Sequence, residues 1–258
     1  MILTGTGEVV SPHVEEISDR IGLLVGDLAL SGAEDEMNAQ WARALEGEAR
    51  AFRVISAFWR ILSAAARERE ADIVLIDVAP NMGAVNRAAL ICSEHIVIPL
   101  RPDFISMYGL RYVGRGLSRW REEWSERRTR NPVADLPMPA REMNPAGYVM
   151  MQHAILDAGG NANDLWSRGI PTAYRDAFLD GKLDGSDLAV EDDPHCLATL
   201  KNYRSLMPLA AEAHKPMFSL RSADGAIGSH AKAVRDCYRD FEVLARVVAS
   251  RCEIRLPR

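Results

Sequence analysis

A chain of 258 residues, 48% of them hydrophobic, can bury a full core and fits one α/β domain. No window of about 18 apolar residues exists, so nothing reads as a membrane span, and Met1 is not followed by the basic segment and apolar run of a signal peptide. A net charge of −5 argues against a strongly basic nucleic-acid binder and leaves room only for local basic faces.

Residues 1–20 are polar, contain glycine and show no clear period. Ile21–Val25 reads as a buried strand that ends at Gly26-Asp27. Asp27 has two readings, a strand-end carboxylate facing a ligand crevice or a turn cap, and the cap is the commoner use of Asp in such places. Ser31 and Glu34 have the spacing of a capping box. The spacing of Met37, Trp41 and Leu45 predicts a helix from about Ala33, with Gly47 as its break. Phe52, Ile55, Trp59, Leu62 and Ala66 then mark one apolar helical face.

The chain is organised around Ala71–Asp103. Ile73-Val74-Leu75-Ile76 is a continuous, β-branched apolar run suited to a parallel strand buried on both faces. It ends in Asp77. A Pro/Gly loop follows (Ala79, Pro80, Asn81, Met82, Gly83), then a short helix with Val85, Ala88, Ala89 and Ile91 on its apolar face, then the strand Ile96-Val97-Ile98 closed by Pro99. This is a βαβ pattern. A carboxylate at the C-terminal end of such a strand sits where open α/β sheets bind ligands.

Helical spacing resumes with Met107, Leu110, Val113, Leu117 and Trp120. Arg111, Arg115 and Arg119, four apart, line one face of that helix. The face reads either as a stripe for a phosphate backbone or as a solvated surface with local ion pairs. Pro132, Pro137, Pro139 and Pro145 mark a loop, and Gly147–Gln152 reads as the next strand. Leu165 and Trp166 belong to a helix, Ile170-Pro171 to a short extended piece. Asp193-Pro194 has the form of a helix start, with Leu197, Leu200 and Tyr203 as the apolar face. Lys215–Leu220 reads as the last strand, Ser222–Gly228 as a turn, and 229–250 as a final amphipathic helix. The four cysteines (Cys92, Cys196, Cys237, Cys252) lack metal-ligand spacing and read as reduced thiols of a cytoplasmic protein. The predicted strands are therefore 21–26, 72–77, 95–99, 147–152 and 216–220, in a mainly parallel sheet flanked by helices.

The stretch IVLIDVAPNMGAVNRAALICSEHIVIPLRPD resembles the second half of a ParA/MinD-type partition ATPase. The resemblance implies a three-layer, P-loop NTPase-like α/β domain spanning 1–258. It gives Asp77 the Walker B role, holding magnesium through water, and puts Pro80 and Gly83 in the switch loop. Gln152 falls where the family contacts the adenine. ATP and Mg are the implied cofactors of the complete family member. The implied partners are a second copy in a homodimer, DNA bound without sequence preference, and a ParB-like protein. No basic residue of this chain carries over by motif to the DNA role.

One part of that pattern is missing. A P-loop needs a glycine-rich turn followed by Lys and Ser/Thr at a helix start. The four lysines (Lys182, Lys201, Lys215, Lys232) are none of them followed by Ser or Thr, and Gly5-Thr6-Gly7 has no Lys. The fold expected is thus one without the first strand and P-loop. Two accounts stay open: an N-terminally incomplete chain with a misplaced start, favoured because Asp77 and its loop keep the motif, or a divergent member without nucleotide chemistry. In the first, the function is a partition or cargo-positioning ATPase, inactive as given. In the second, it is a non-catalytic ParA-like binding protein acting through DNA or protein partners.

Overall fold

The computed structural model describes residues 6–140, 142–153, 162–179 and 188–256, with the side chains of 152–153 and 162–165 also outside the description. The chain divides into two compact units, residues 1–94 with 116–144 and residues 95–115 with 145–258.

The first unit is mostly helical. Strands β1 (Glu15–Ser18) and β2 (Ile21–Leu23) form a small antiparallel ladder. Helices α1 (Glu34–Arg43), α2 (Ala49–Ile55), α3 (Ala57–Glu68) and α4 (Ala84–Leu90) follow. Three acidic residues, Glu34, Asp35 and Glu36, open α1, where negative charge complements the free N–H groups of a helix start. Gly47, with φ of 76°, terminates the short 3-10 extension of α1 in the left-handed conformation glycine adopts without penalty. Met37, Val54, Ala57, Ala84 and Ala88 form the core of these helices, small residues allowing close approach.

The second unit holds the sheet. Strands β3 (His95–Leu100), β4 (Asn144–His153) and β5 (Cys196–Lys201) lie in the order β3-β4-β5 as a parallel three-stranded sheet. Helices α5 (Phe104–Thr129) and α6 (Ala162–Phe178) follow β3 and β4; α7 (Leu206–Ala213) and α8 (Ser229–Arg251) follow β5. Side chains alternate across a strand, and the two faces are covered separately. Ile98, Leu100, Tyr148 and Met150 pack with Leu110 of α5 and Ile170, Ala173 and Tyr174 of α6. Val149, Leu197 and Leu200 pack with Phe241, Leu244, Val247 and Val248 of α8. Each such large side chain contributes about 1.5–3 kcal/mol through burial. The α/β architecture with a parallel sheet flanked by helices is thus the observed one.

Several expectations are corrected. The 21–26 run is half of an antiparallel ladder, because β1 precedes it closely enough to pair. The 72–77 run has no strand assignment and belongs to no ladder among the described residues. The 216–220 run is a 3-10 turn, Met217–Ser219. Ile170-Pro171 lies within α6. The interior proline costs about 3 kcal/mol, and burial of Ile170, Ala173 and Tyr174 offsets it. The spacing of Leu197 and Leu200 suggests a helix, yet the segment is β5, held by parallel pairing with β4. Asp193 starts no helix: its carboxylate accepts the Tyr148 hydroxyl at 2.8 Å and the His195 backbone N–H at 3.0 Å. Burial and that carboxylate push the Tyr148 phenol well above its ordinary pKa.

Candidate functional site

The segment carrying Asp77 belongs to the first unit. Asp77 is exposed, and the apolar run before it is exposed as well: Ile73 at 43%, Val74 at 46% and Leu75 at 89%. Among the described residues the segment before Asp77 belongs to no assigned ladder.

The loop after Asp77 is built firmly. The Asn81 side-chain carbonyl accepts the Gly83 N–H at 2.9 Å, an Asx turn. Asn86, buried in α4, donates its amide to the carbonyls of Ala79 at 2.5 Å and Asn81 at 2.8 Å, and lies 3.1 Å from the Asn81 side-chain oxygen. One side-chain amide thus fixes both ends of the Ala79–Asn81 bend. Pro80 stands exposed on it. The Glu34 carboxylate accepts the backbone N–H of Ala84 and that of Val85, the latter at 3.1 Å, and so caps the start of α4. The capping box read from Ser31 and Glu34 is therefore replaced: the Ser31 hydroxyl donates to the Leu28 carbonyl, and Glu34 serves another helix. Gly83 is needed for close approach. A Cβ there would lie 2.7 Å from a Glu34 carboxylate oxygen and 3.0 Å from the Asn81 side-chain oxygen.

Arg87, next along α4, is held by aromatic rings. Its guanidinium stacks 4.2 Å from the centre of the Trp41 ring and donates to Asn38 at 3.0 Å. Arg127 covers Trp41 at 4.4 Å and donates to the Trp41 carbonyl at 2.8 Å, while the Trp41 indole N–H donates to Glu123 at 2.7 Å. Desolvation lowers the Arg87 pKa to about 10. These cations serve packing.

Of the residues singled out from sequence, the structure thus brings Pro80 and Gly83 into one pinned loop beside Asp77. Gln152 lies on β4, and its side chain, with that of His153, is outside the described residues. Asp27 takes the turn reading, accepting the Ala29 N–H at 2.8 Å. Sequence reading missed Glu34 and Asn86 as loop-building residues. The one available signal was a polar Asn86 among the apolar residues Val85, Ala88 and Ala89.

A magnesium ion fits the donor set in part. Mg²⁺ commonly uses one or two carboxylates with water and substrate phosphates, and exposed Asp77 can supply one such carboxylate. Among the described residues no three His, Cys, Asp or Glu side chains group as a metal site. For a triphosphate, residues 1–94 and 116–144 offer no lysine, and the Glu34 carboxylate accepts the Ala84 and Val85 N–H groups that open α4.

Residues 2–127 match a family model described as an AAA domain. The match takes in Asp77, the pinned loop and α4, and covers just under half of the chain. Among solved structures, the chain is similar to protein DIP2308 from Corynebacterium diphtheriae, with a TM-score of 0.57 and 16% sequence identity over 90% of this chain. That likeness is one of fold. The chain spans 65% of the length of that structure. No curated protein matches the chain. Among the described residues no helix is long and apolar enough to cross a membrane.

Proposed function

We propose that this chain carries the metal-and-switch half of a ParA/MinD-type partition ATPase. In this reading Asp77 holds magnesium through water, and the Pro80–Gly83 loop responds to the terminal phosphate, as loops of this kind are ordered by phosphate contacts and released by their loss. The observation that carries the reading is the construction of the loop. Asn86 and Asn81 fix its backbone, Gly83 leaves room for Glu34, and all of it lies inside the segment that matches an AAA domain. Homodimerisation, DNA bound without sequence preference and a ParB-like partner belong to the same proposal, as does Gln152 at the base. The phosphate cradle does not come from residues 1–258, since they hold no glycine-rich Lys-Ser/Thr turn. Phosphoryl transfer depends almost wholly on positioning and charge neutralisation, so these residues alone are expected to neither bind ATP tightly nor turn it over.

A second reading, a non-catalytic ParA-like binding protein, is favoured by one feature: the Glu34 carboxylate takes the start of α4. Calorimetric titration with MgATP and a phosphate-release assay, with Asp77→Ala as control, separate the two. Supplying a P-loop segment in frame should restore hydrolysis that Asp77→Ala removes. Hydrolysis indifferent to Asp77→Ala would sink the first reading, and micromolar MgATP binding by residues 1–258 would refute the missing cradle.

A further inference from the structure

The first half of α5 carries an exposed face that the fold does not use. Phe104, Tyr108 and Tyr112 are 49%, 55% and 68% exposed. They are spaced by four residues, so at 100° per residue they drift slowly around the helix, and Arg111 and Arg115 fall within the same arc of about 100°. Phe104–Arg115 contains no acidic residue. The rings are already organised against each other. Phe104 lies 4.1 Å from Tyr108 between ring centres, and the Trp166 ring of α6 meets Phe104 edge-on at 5.3 Å. Arg111 forms one exposed ion pair, with Asp176 at 3.1 Å. Such a pair is weak and exchangeable.

We propose that this face binds single-stranded nucleic acid, the bases stacking on Tyr108 and Tyr112 and the phosphates meeting Arg111 and Arg115. Three physical points select this occupant. Exposed rings interleaved with guanidinium groups offer both a stacking surface and charge for a polyanion. Four helical residues advance about 6 Å, wider than the 3.4 Å step of one strand in a duplex, so one ring per base requires splayed bases, which a single strand can present. A duplex would engage the arginines and leave the rings in water. A second copy of the chain meeting this face symmetrically would set arginine against arginine, since a two-fold contact is self-complementary. The proposal is independent of nucleotide hydrolysis.

Fluorescence anisotropy on the full chain tests it, with labelled oligothymidylate of about 15 nucleotides, within the known range of single-strand site sizes, and a duplex of equal length. Saturable binding tighter than about 100 µM, the weak end of non-specific affinity, is expected for the single strand, with the duplex weaker. Tyr112→Ala and Tyr108→Ala should each weaken it by about 5- to 150-fold, the usual loss of one stacked base. Thermal melting should be nearly unchanged, because the rings are exposed. Arg115→Gln should reduce the slope of log affinity against log salt by about 0.7. No saturation, a preference for duplex, or tyrosine variants that bind as well as the parent would overturn the proposal. Variants that change the mass by light scattering while leaving oligonucleotide binding intact would reassign the face to a protein contact and overturn it equally.

Discussion

The two units treat the same kind of sequence differently. In the second, the apolar run of β3 pairs with β4, and α5 and α6 bury Ile98 and Leu100. In the first, Ile73, Val74 and Leu75 are also apolar and β-branched in part, yet they are exposed and belong to no ladder among the described residues. Both runs have the composition that favours strands. Among the described residues, β3 has neighbours that supply ladder partners and cover its faces, and the 73–75 run has no ladder partner. A strand is a property of a pair of segments, and a lone apolar run has no place to put its backbone N–H and C=O groups except water.

Matched truncations test that contrast most sharply. Ile98→Ala should cost about 2–5 kcal/mol of stability in urea unfolding, as buried isoleucines do. Leu75→Ala should change stability by less than about 0.5 kcal/mol, the usual figure for an exposed site. Equal costs would mean that Leu75 is covered in solution and that the two units do not differ in this way.

The thiols give a second, smaller measure. Burial first, and nearby aspartates after it, raise Cys196 in β5 and Cys237 in α8 to about 11, above the ordinary thiol value. A rise of about two pH units leaves about a hundredfold less thiolate at neutral pH, so alkylation of both should be slower by roughly that factor than for a free peptide thiol. The sign for stability follows. The folded thiols stay protonated while unfolded ones ionise, so this contribution is intact at neutral pH and is lost as pH rises from about 9 through 11. Cys92, buried at the end of α4, reports the first unit. Its labelling should accelerate at lower urea than that of Cys237, because the first unit leaves apolar surface uncovered. The reverse order would contradict the comparison.

A further effect is local to the first unit. Glu34→Gln keeps the shape of the α4 cap and removes its charge, which should cost about 0.5–1 kcal/mol, the usual scale for a charge near a helix start. Gly83→Ala should cost about 1–3 kcal/mol, as overpacking does, because its Cβ displaces Glu34. If Glu34→Ala carries the Gly83→Ala change at no further cost, the Glu34 contact is the whole reason for glycine.

Periodicity pointed to α1 to α5, to the first part of α6, to α8, and to strands at 95–99 and 147–152, observed as His95–Leu100 and Asn144–His153; it did not mark α7. Those segments carry their signal locally: apolar faces at 3.6-residue spacing, a helix-ending glycine at Gly47, β-branched runs bounded by proline. The Asp77–Gly83 stretch was legible for the same reason, since a carboxylate, a proline and a glycine in a turn are local features. Tertiary structure alone decided the rest. Leu197 and Leu200 fit a helix by spacing and became a strand because β4 offered a parallel edge. Pro171 sits inside α6 because its neighbours Ile170, Ala173 and Tyr174 gain more by burial than the proline costs. Glu34 abandoned its own helix cap for the start of α4, fifty residues away, and Asn86 turned inward to hold a loop. Those partners are distant in the chain, and no local pattern encodes which distant hydrogen bond a side chain will find once the backbone has brought the groups together.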